Sequence, residues 1–265
     1  MPVNWGIIAL IGLIAGLLGG MLGVGGSIVM IPALSWVFGY DQHLYQAAAM
    51  VANVAVSLPA AMRHHQAGAV HWKIVRYMIP AAVVFAFVGV FVSNLPLFSG
   101  HNGSLWLGRV LAAFLVYVIY LNLRKIGQKS KDFTLEESRD SKSASGVLGA
   151  MMGFVAGLLG IGGGALAVPM QQVVLKLPLR VCIANSSAVI VISAALSSIY
   201  KIASLPGHGH TWMTGLLVGL MLVPGAFVGG RLGAVLTHRL PLSAVRISFI
   251  TLMLVAAWKM AALGQ

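Results

Sequence analysis

Two glycine clusters interrupt long apolar runs, Gly23-Val24-Gly25-Gly26-Ser27 and Gly160-Ile161-Gly162-Gly163. A helix that stops and restarts there leaves backbone N–H groups without an intrahelical partner. Without Cβ atoms, an oxyanion can come close to those groups. The restarting helix also adds partial positive charge at its new N-terminus. The chemistry on offer is anion binding with no lysine or arginine in the apolar interior. The competing reading is that these glycines only let helices cross tightly. Asn53, Asn185, Ser186 and Ser187 are donors inside apolar runs and need either a wet cavity or a neighbouring helix to bond. Arg231 follows Gly229-Gly230 near the end of a run; it is expected to snorkel to the interface, with a gate on an anion path as the second reading.

The elements that position these residues come in two copies. Gly12, Gly16, Gly20, Gly23, Gly25, Gly26 and Pro32 fall on Gly149, Gly153, Gly157, Gly160, Gly162, Gly163 and Pro169 at a constant offset of 137. That coincidence of glycine and proline reads as two related halves. The chain is 59% hydrophobic and only 8% charged over 265 residues, against roughly a quarter charged in a soluble domain. The fold class is therefore an all-α polytopic membrane protein, because helices must satisfy their own backbone in lipid.

Each half is expected to open with a glycine-broken or re-entrant helix and to continue with three spanning helices. Residues 1–123 form the first membrane repeat, 124–145 a hydrophilic cytoplasmic linker and 146–265 the second repeat. Trp5 to Phe38 is too long for one span and too short for two. Gly12, Gly16 and Gly20 put small residues on one face, which suits close packing in lipid. Pro96 to Ser104 reads as an uncharged loop. The linker holds Asp132, Glu136, Glu137 and Asp140, four of the five acids.

Lysine and arginine favour the cytoplasm. Arg63, Lys73 and Arg76 then lie inside, the 96–104 loop outside, and the linker, with Arg124, Lys125, Lys129, Lys131, Arg139 and Lys142, inside. If residues 147–175 turn back, Lys176, Arg180 and Arg239 also lie inside and only Lys201 is out of place. That assignment makes the halves inverted with both termini outside; parallel halves with eight plain crossings are the alternative.

Nucleotide and metal chemistry find little support. No GxGxxG follows a strand and no Walker sequence occurs. The single Cys182 and scattered histidines lack zinc spacing. No Asp or Glu lies inside an apolar run, so coupling through a buried carboxylate is not expected. The net charge of +12 belongs to short loops, so nucleic acid is not an expected partner.

GLLGGMLGVGGSIVMIP, GLLGIGGGALAVP and PGAFVGGRLGAVL resemble the TauE/SafE sulfite exporter family, also called the toluene-sulfonate uptake permease family. The resemblance covers essentially the whole chain. It implies a multi-pass carrier of the bacterial cytoplasmic membrane for sulfite, sulfoacetate or another organosulfonate, not an enzyme, and needing no cofactor. Members often carry a small-Thr-Ser cluster early in the span after each glycine unit. This chain departs from that pattern, with Asn185-Ser186-Ser187 in the second half and Ala48-Ala49-Met50 in the first. On this reading the anion is held at Gly23, Gly25, Gly26, Ser27, Asn53, Gly160, Gly162, Gly163, Asn185, Ser186 and Ser187, with Arg231 as the candidate gate and no metal. The expected partners are a small anionic substrate and the lipid bilayer; a homodimer stays open. Two other classes also stay open: a membrane-embedded enzyme using His64 and His65 at the interface, and a non-transporting scaffold packed through its glycine faces.

Overall fold

The structure is a computed structural model that describes residues 5–98, 100–127 and 133–262; Lys129, Lys131 and Asp132 of the linker lie outside them. Ten α-helices and no strand occur among the described residues. They are α1 (Trp5–Leu22), α2 (Ser27–Phe38), α3 (Gln42–Gln66), α4 (Trp72–Ser93), α5 (Gly100–Gly127), α6 (Lys142–Leu159), α7 (Gly164–Val174), α8 (Leu179–Ser204), α9 (Trp212–Arg239) and α10 (Leu242–Ala262). Among the described residues, six helices are long and apolar enough to cross a membrane: α1, α3, α4, α6, α8 with the turn after it, and α9. The surface around them is apolar. Trp36, Phe91 and Ile199 are each more than half exposed, as residues facing lipid are.

Both expected helix breaks are present, between α1 and α2 and between α6 and α7. At each the chain doubles back. A Cβ on Gly26 would stand 3.3 Å from the carbonyl oxygen of Ala15, about two turns back from the end of the preceding helix. Gly163 lies in the same way against the Met152 carbonyl. α2 has 12 residues, about 18 Å at 1.5 Å per residue, short of the ~30 Å hydrocarbon layer.

One sequence expectation needs correcting. The 96–104 loop is mostly helical: Pro96–Phe98 is a 3-10 turn and α5 starts at Gly100. Gly103 folds this turn onto α5, because its missing side chain leaves room for the backbone of Phe98.

The small-residue faces do make close helix contacts, each with a helix from the other end of the chain. Gly12, Gly16 and Gly20 lie on Leu222, Ala226 and Gly230, so α1 runs parallel to α9. Gly149, Gly153 and Gly157 lie on Met78, Ala82 and Ala86, so α6 runs parallel to α4. A methyl at any of these six positions would overlap the partner's backbone, which is how glycine brings helices together where lipid supplies no hydrophobic drive.

The loops gather at two ends. At the basic end, His71 pairs with Asp140 at 3.1 Å, Arg139 N donates to the Leu175 carbonyl, and Arg180 donates to the Leu240 carbonyl at 3.2 Å. At the far end, Asp41 pairs with His210 at 2.6 Å and also caps α3 by accepting from Leu44 N. α3 therefore runs from the far end to the basic end, and α8 runs the opposite way.

Candidate functional site

The two glycine turns meet in the interior. A Cβ on Gly162 would lie 3.0 Å from the Val24 carbonyl oxygen and 3.2 Å from Asn53 Nδ2; one on Gly164 would overlap the carbonyl of Gly23 and lie 2.7 Å from Val24 Cα. Gly23 and Gly25 have φ of 66° and 78°, and Gly160, Gly162 and Gly163 have 74°, 75° and 73°. Only glycine enters that left-handed region freely. Gly23 rests on the backbone of Ile183 in α8, and Gly160 rests on Gln46 in α3.

Asn53 is the polar side chain at this junction. Its Oδ1 accepts from Ser27 N at 3.1 Å, and its Nδ2 donates to Ser27 Oγ at 2.6 Å. One of the amides expected to be free at the start of α2 is therefore already bonded. Asn53 also belongs to a longer pattern. Gln42, Gln46, Asn53, Ser57 and His64 are all buried on α3. Their spacings of 4, 7, 4 and 7 residues keep them within a stripe about 60° wide at 100° per residue. A polar stripe thus runs the whole length of a spanning helix and passes the glycine turns at its middle.

The remaining expected residues stand elsewhere. Asn185 Oδ1 accepts from His71 N at 2.8 Å, and Asn185 Nδ2 donates to Gln171 Oε1 at 3.2 Å. Gln171 Nε2 donates to Ser186 Oγ at 3.0 Å, while Ser187 Oγ bonds back to the Ile183 carbonyl of its own helix. Gln171 is eight residues along α7 from Gly163, about 12 Å at 1.5 Å per residue. The expected set therefore divides into a central cluster and a second cluster toward the basic end. Arg231 joins neither, and its side chain is exposed on α9. His64, expected at the interface, is fully buried, with Nδ1 3.0 Å from His238 Nε2. His65 accepts from Trp72 Nε1 at 3.3 Å. Among the described residues no group of three or more His, Cys, Asp or Glu could hold a metal ion.

Lys201 is the residue the sequence reading missed. It has no accessible surface. Its Nζ lies 3.0 Å from His43 Nδ1, 2.9 Å from Ser93 Oγ and 3.0 Å from Asn94 Oδ1. His43 Nε2 stands 2.8 Å from the Phe98 carbonyl and so must carry the proton, which leaves Nδ1 to accept. Three N–H donors into three uncharged acceptors is the arrangement of an ammonium. The His208 ring stacks on His43 with centroids 3.8 Å apart. Two signals in the sequence point here: Lys201 is the basic residue that charge bias leaves at the wrong end, and the offset of 137 superposes it on His64.

A bundle of apolar helices around a buried polar line, entered by two doubled-back helices, defines a multi-pass membrane transport protein. Its family follows from the sequence: the chain belongs to the sulfite exporter TauE/SafE family, whose model matches residues 8–260. It is 28% identical to the probable membrane transporter protein YunE of Bacillus subtilis, over 88% of this chain and 89% of that one. It is 26% identical to a probable membrane transporter protein of Haemophilus influenzae, over 95% and 96%. The probable membrane transporter protein MamO of Paramagnetospirillum magneticum is 27% identical over 96% of this chain, which spans only 44% of that relative's length. No solved structure matches. The family and these names indicate a transporter rather than an enzyme.

Proposed function

We propose that the protein is a secondary carrier or facilitator for a small sulfur-containing anion such as sulfite, sulfoacetate or another organosulfonate. One observation carries this reading: two glycine turns, from helices 137 residues apart, touch backbone to backbone beside the amide of Asn53. The anion sits against the turns, held by backbone N–H groups and by Asn53 Nδ2, with the start of α2 and α7 supplying positive potential.

The same reading makes the two halves inverted repeats, one before and one after the linker. The reciprocal seams of α1 with α9 and of α6 with α4 support it, as do the opposite directions of α3 and α8. The α1–α2 hairpin then enters the membrane from the far end and the α6–α7 hairpin from the basic end, in the manner of carriers whose discontinuous helices meet near the midplane. Charge bias favours the basic end in the cytoplasm, and the family resemblance is the reason for reading the membrane as a bacterial inner membrane. Rocking one half against the other exposes the turns to each side in alternation.

The test is uptake of labelled sulfite and of an arenesulfonate into proteoliposomes. Saturable flux of at least one, lost in Gly162→Val, is expected. Absence of flux for every sulfur oxyanion, from protein that melts cooperatively, overturns the reading.

A further inference from the structure

Gln42 and Gln46 occupy the α3 stripe between the glycine turns and the far end. Gln42 has no accessible surface, and neither atom of its amide has a hydrogen-bond partner. Gln46 Nε2 donates to the Leu158 carbonyl at 3.3 Å, but its Oε1 has no partner. Native proteins rarely bury polar groups unsatisfied, and each exception asks for a missing ligand or water. Here there are three such atoms within one helical turn, beside the Gly160 turn that packs on Gln46.

A second observation is independent of the first. Lys201 is a buried cation with no carboxylate in contact; among the described residues the acid–base contacts are His71 with Asp140 and His210 with Asp41. It is bonded to His43, the residue next to Gln42. A buried charge without a counter-ion is costly, and its field in a poorly screened interior favours an anion nearby.

We infer that Gln42 and Gln46, under the field of Lys201, form a second subsite for the transported oxyanion, between the glycine turns and the far end. The Gln42 nitrogen gives two N–H donors to the anion's oxygens. The free amide oxygens accept from a hydroxyl of the ligand or from water that it carries. The inference rests on the carrier reading, and its test separates the two.

The experiment has two arms on the full-length protein in proteoliposomes. In a Cys182→Ala background, Gln42→Cys is labelled with anionic sulfonatoethyl methanethiosulfonate and with its cationic trimethylammonium counterpart. The anionic reagent is expected to react at least tenfold faster, and methanesulfonate to protect. In the second arm, Gln42→Leu is expected to raise the KM for the sulfonate about three- to tenfold, the loss of one or two neutral hydrogen bonds, and to melt no lower than the wild type. Gln42→Glu, which sets a like charge against the anion, raises KM further. Equal labelling by both reagents, or a wild-type KM in Gln42→Leu, overturns the subsite while leaving the carrier intact. Selective, protectable labelling of a protein that moves no sulfonate keeps the subsite and removes the carrier reading.

Discussion

The two glycine turns are the same device with different fillings. Both force left-handed backbone and both double the chain back, yet the first carries Ser27 and faces Asn53, where the second has Gly164 and Ile190 at the offset of 137. Gly26 accordingly sits at a right-handed φ of −81°, while Gly163 sits at 73°. One cluster further along, the polarity reverses. The second half bonds Gln171 to Asn185 and Ser186, where the first half has Leu34, Ala48 and Ala49. The shared glycines belong to the shape of the hairpins. The unshared polar residues give each level of the bundle interior its own hydrogen bonds.

The sharpest way to break this comparison is at the glycines themselves. Gly162→Ala forces a side chain into the left-handed region and sets it 3.0 Å from the Val24 carbonyl; sulfonate uptake is expected to fall at least a hundredfold. Gly68→Ala is the control. It has a similar φ of 66° with nothing within 4 Å, so only the backbone term remains, about 1 kcal/mol, and uptake stays within about twofold. Equal losses at the two sites would mean that left-handed backbone alone matters and that contact between the turns does not.

Asn53→Leu comes next. It orphans Ser27 N, at a cost of about 1–3 kcal/mol for an unsatisfied buried donor, and it removes the side-chain donor at the junction. A fall in melting temperature with a tenfold or greater rise in KM is expected. Ile190→Asn tests the other half: its amide has no serine at 164 to bond, so it destabilises alone, and Gly164→Ser is expected not to rescue it, because a Cβ there would overlap the Gly23 carbonyl. A rescue, read as a non-additive cycle, would show that the halves accept the same filling. Strict additivity would show that the two junctions differ in backbone as well as in side chains.

These contrasts also mark what the sequence makes legible. The breaks are legible because left-handed backbone demands glycine, and the demand recurs at a fixed offset. The glycine faces of α1 and α6 are legible as seams, but their partners α9 and α4 are not, since any small-residue face suits any other. The stripe of Gln42, Gln46, Asn53, Ser57 and His64 is written in its spacing, yet it shows only when α3 is read as a wheel rather than residue by residue. Lys201 announces itself by violating the charge bias. Its acceptors come from two places, His43 and the adjacent Ser93-Asn94, that only the fold brings together. Asn185 reads correctly as a buried donor, but its bond to His71 N depends on where the α3–α4 loop lands.

Lys201→Met probes a smaller difference, between the two ends of the bundle. His64, which the offset of 137 superposes on it, stands 3.0 Å from the uncharged ring of His238, whereas Lys201 holds three acceptors. Replacing a buried ion by an apolar chain of similar volume is often neutral, but here it leaves the acceptors unpaired. A loss of about 1–3 kcal/mol is expected, together with a three- to tenfold rise in KM for the anion. An unchanged KM would reduce Lys201 to a structural clasp.

The smallest effect separates the two glycine seams. Thr237 Oγ1 donates to the Met21 carbonyl at 2.7 Å and lies 3.1 Å from the Gly233 carbonyl, buried where α9 passes the end of α1. The offset of 137 puts Gly100 at the matching place beyond α4, so the α4–α6 seam has no such hydroxyl. Thr237→Val keeps the shape and removes one interhelical hydrogen bond, worth about 0.5–1.5 kcal/mol. Because interhelical bonds in membranes average about 0.6 kcal/mol, the lower half of that range is expected, read as a small fall in melting temperature with uptake unchanged. A drop several times larger would mean that the α1–α9 seam, despite its glycine contacts, depends on this one hydroxyl where the α4–α6 seam holds by packing alone.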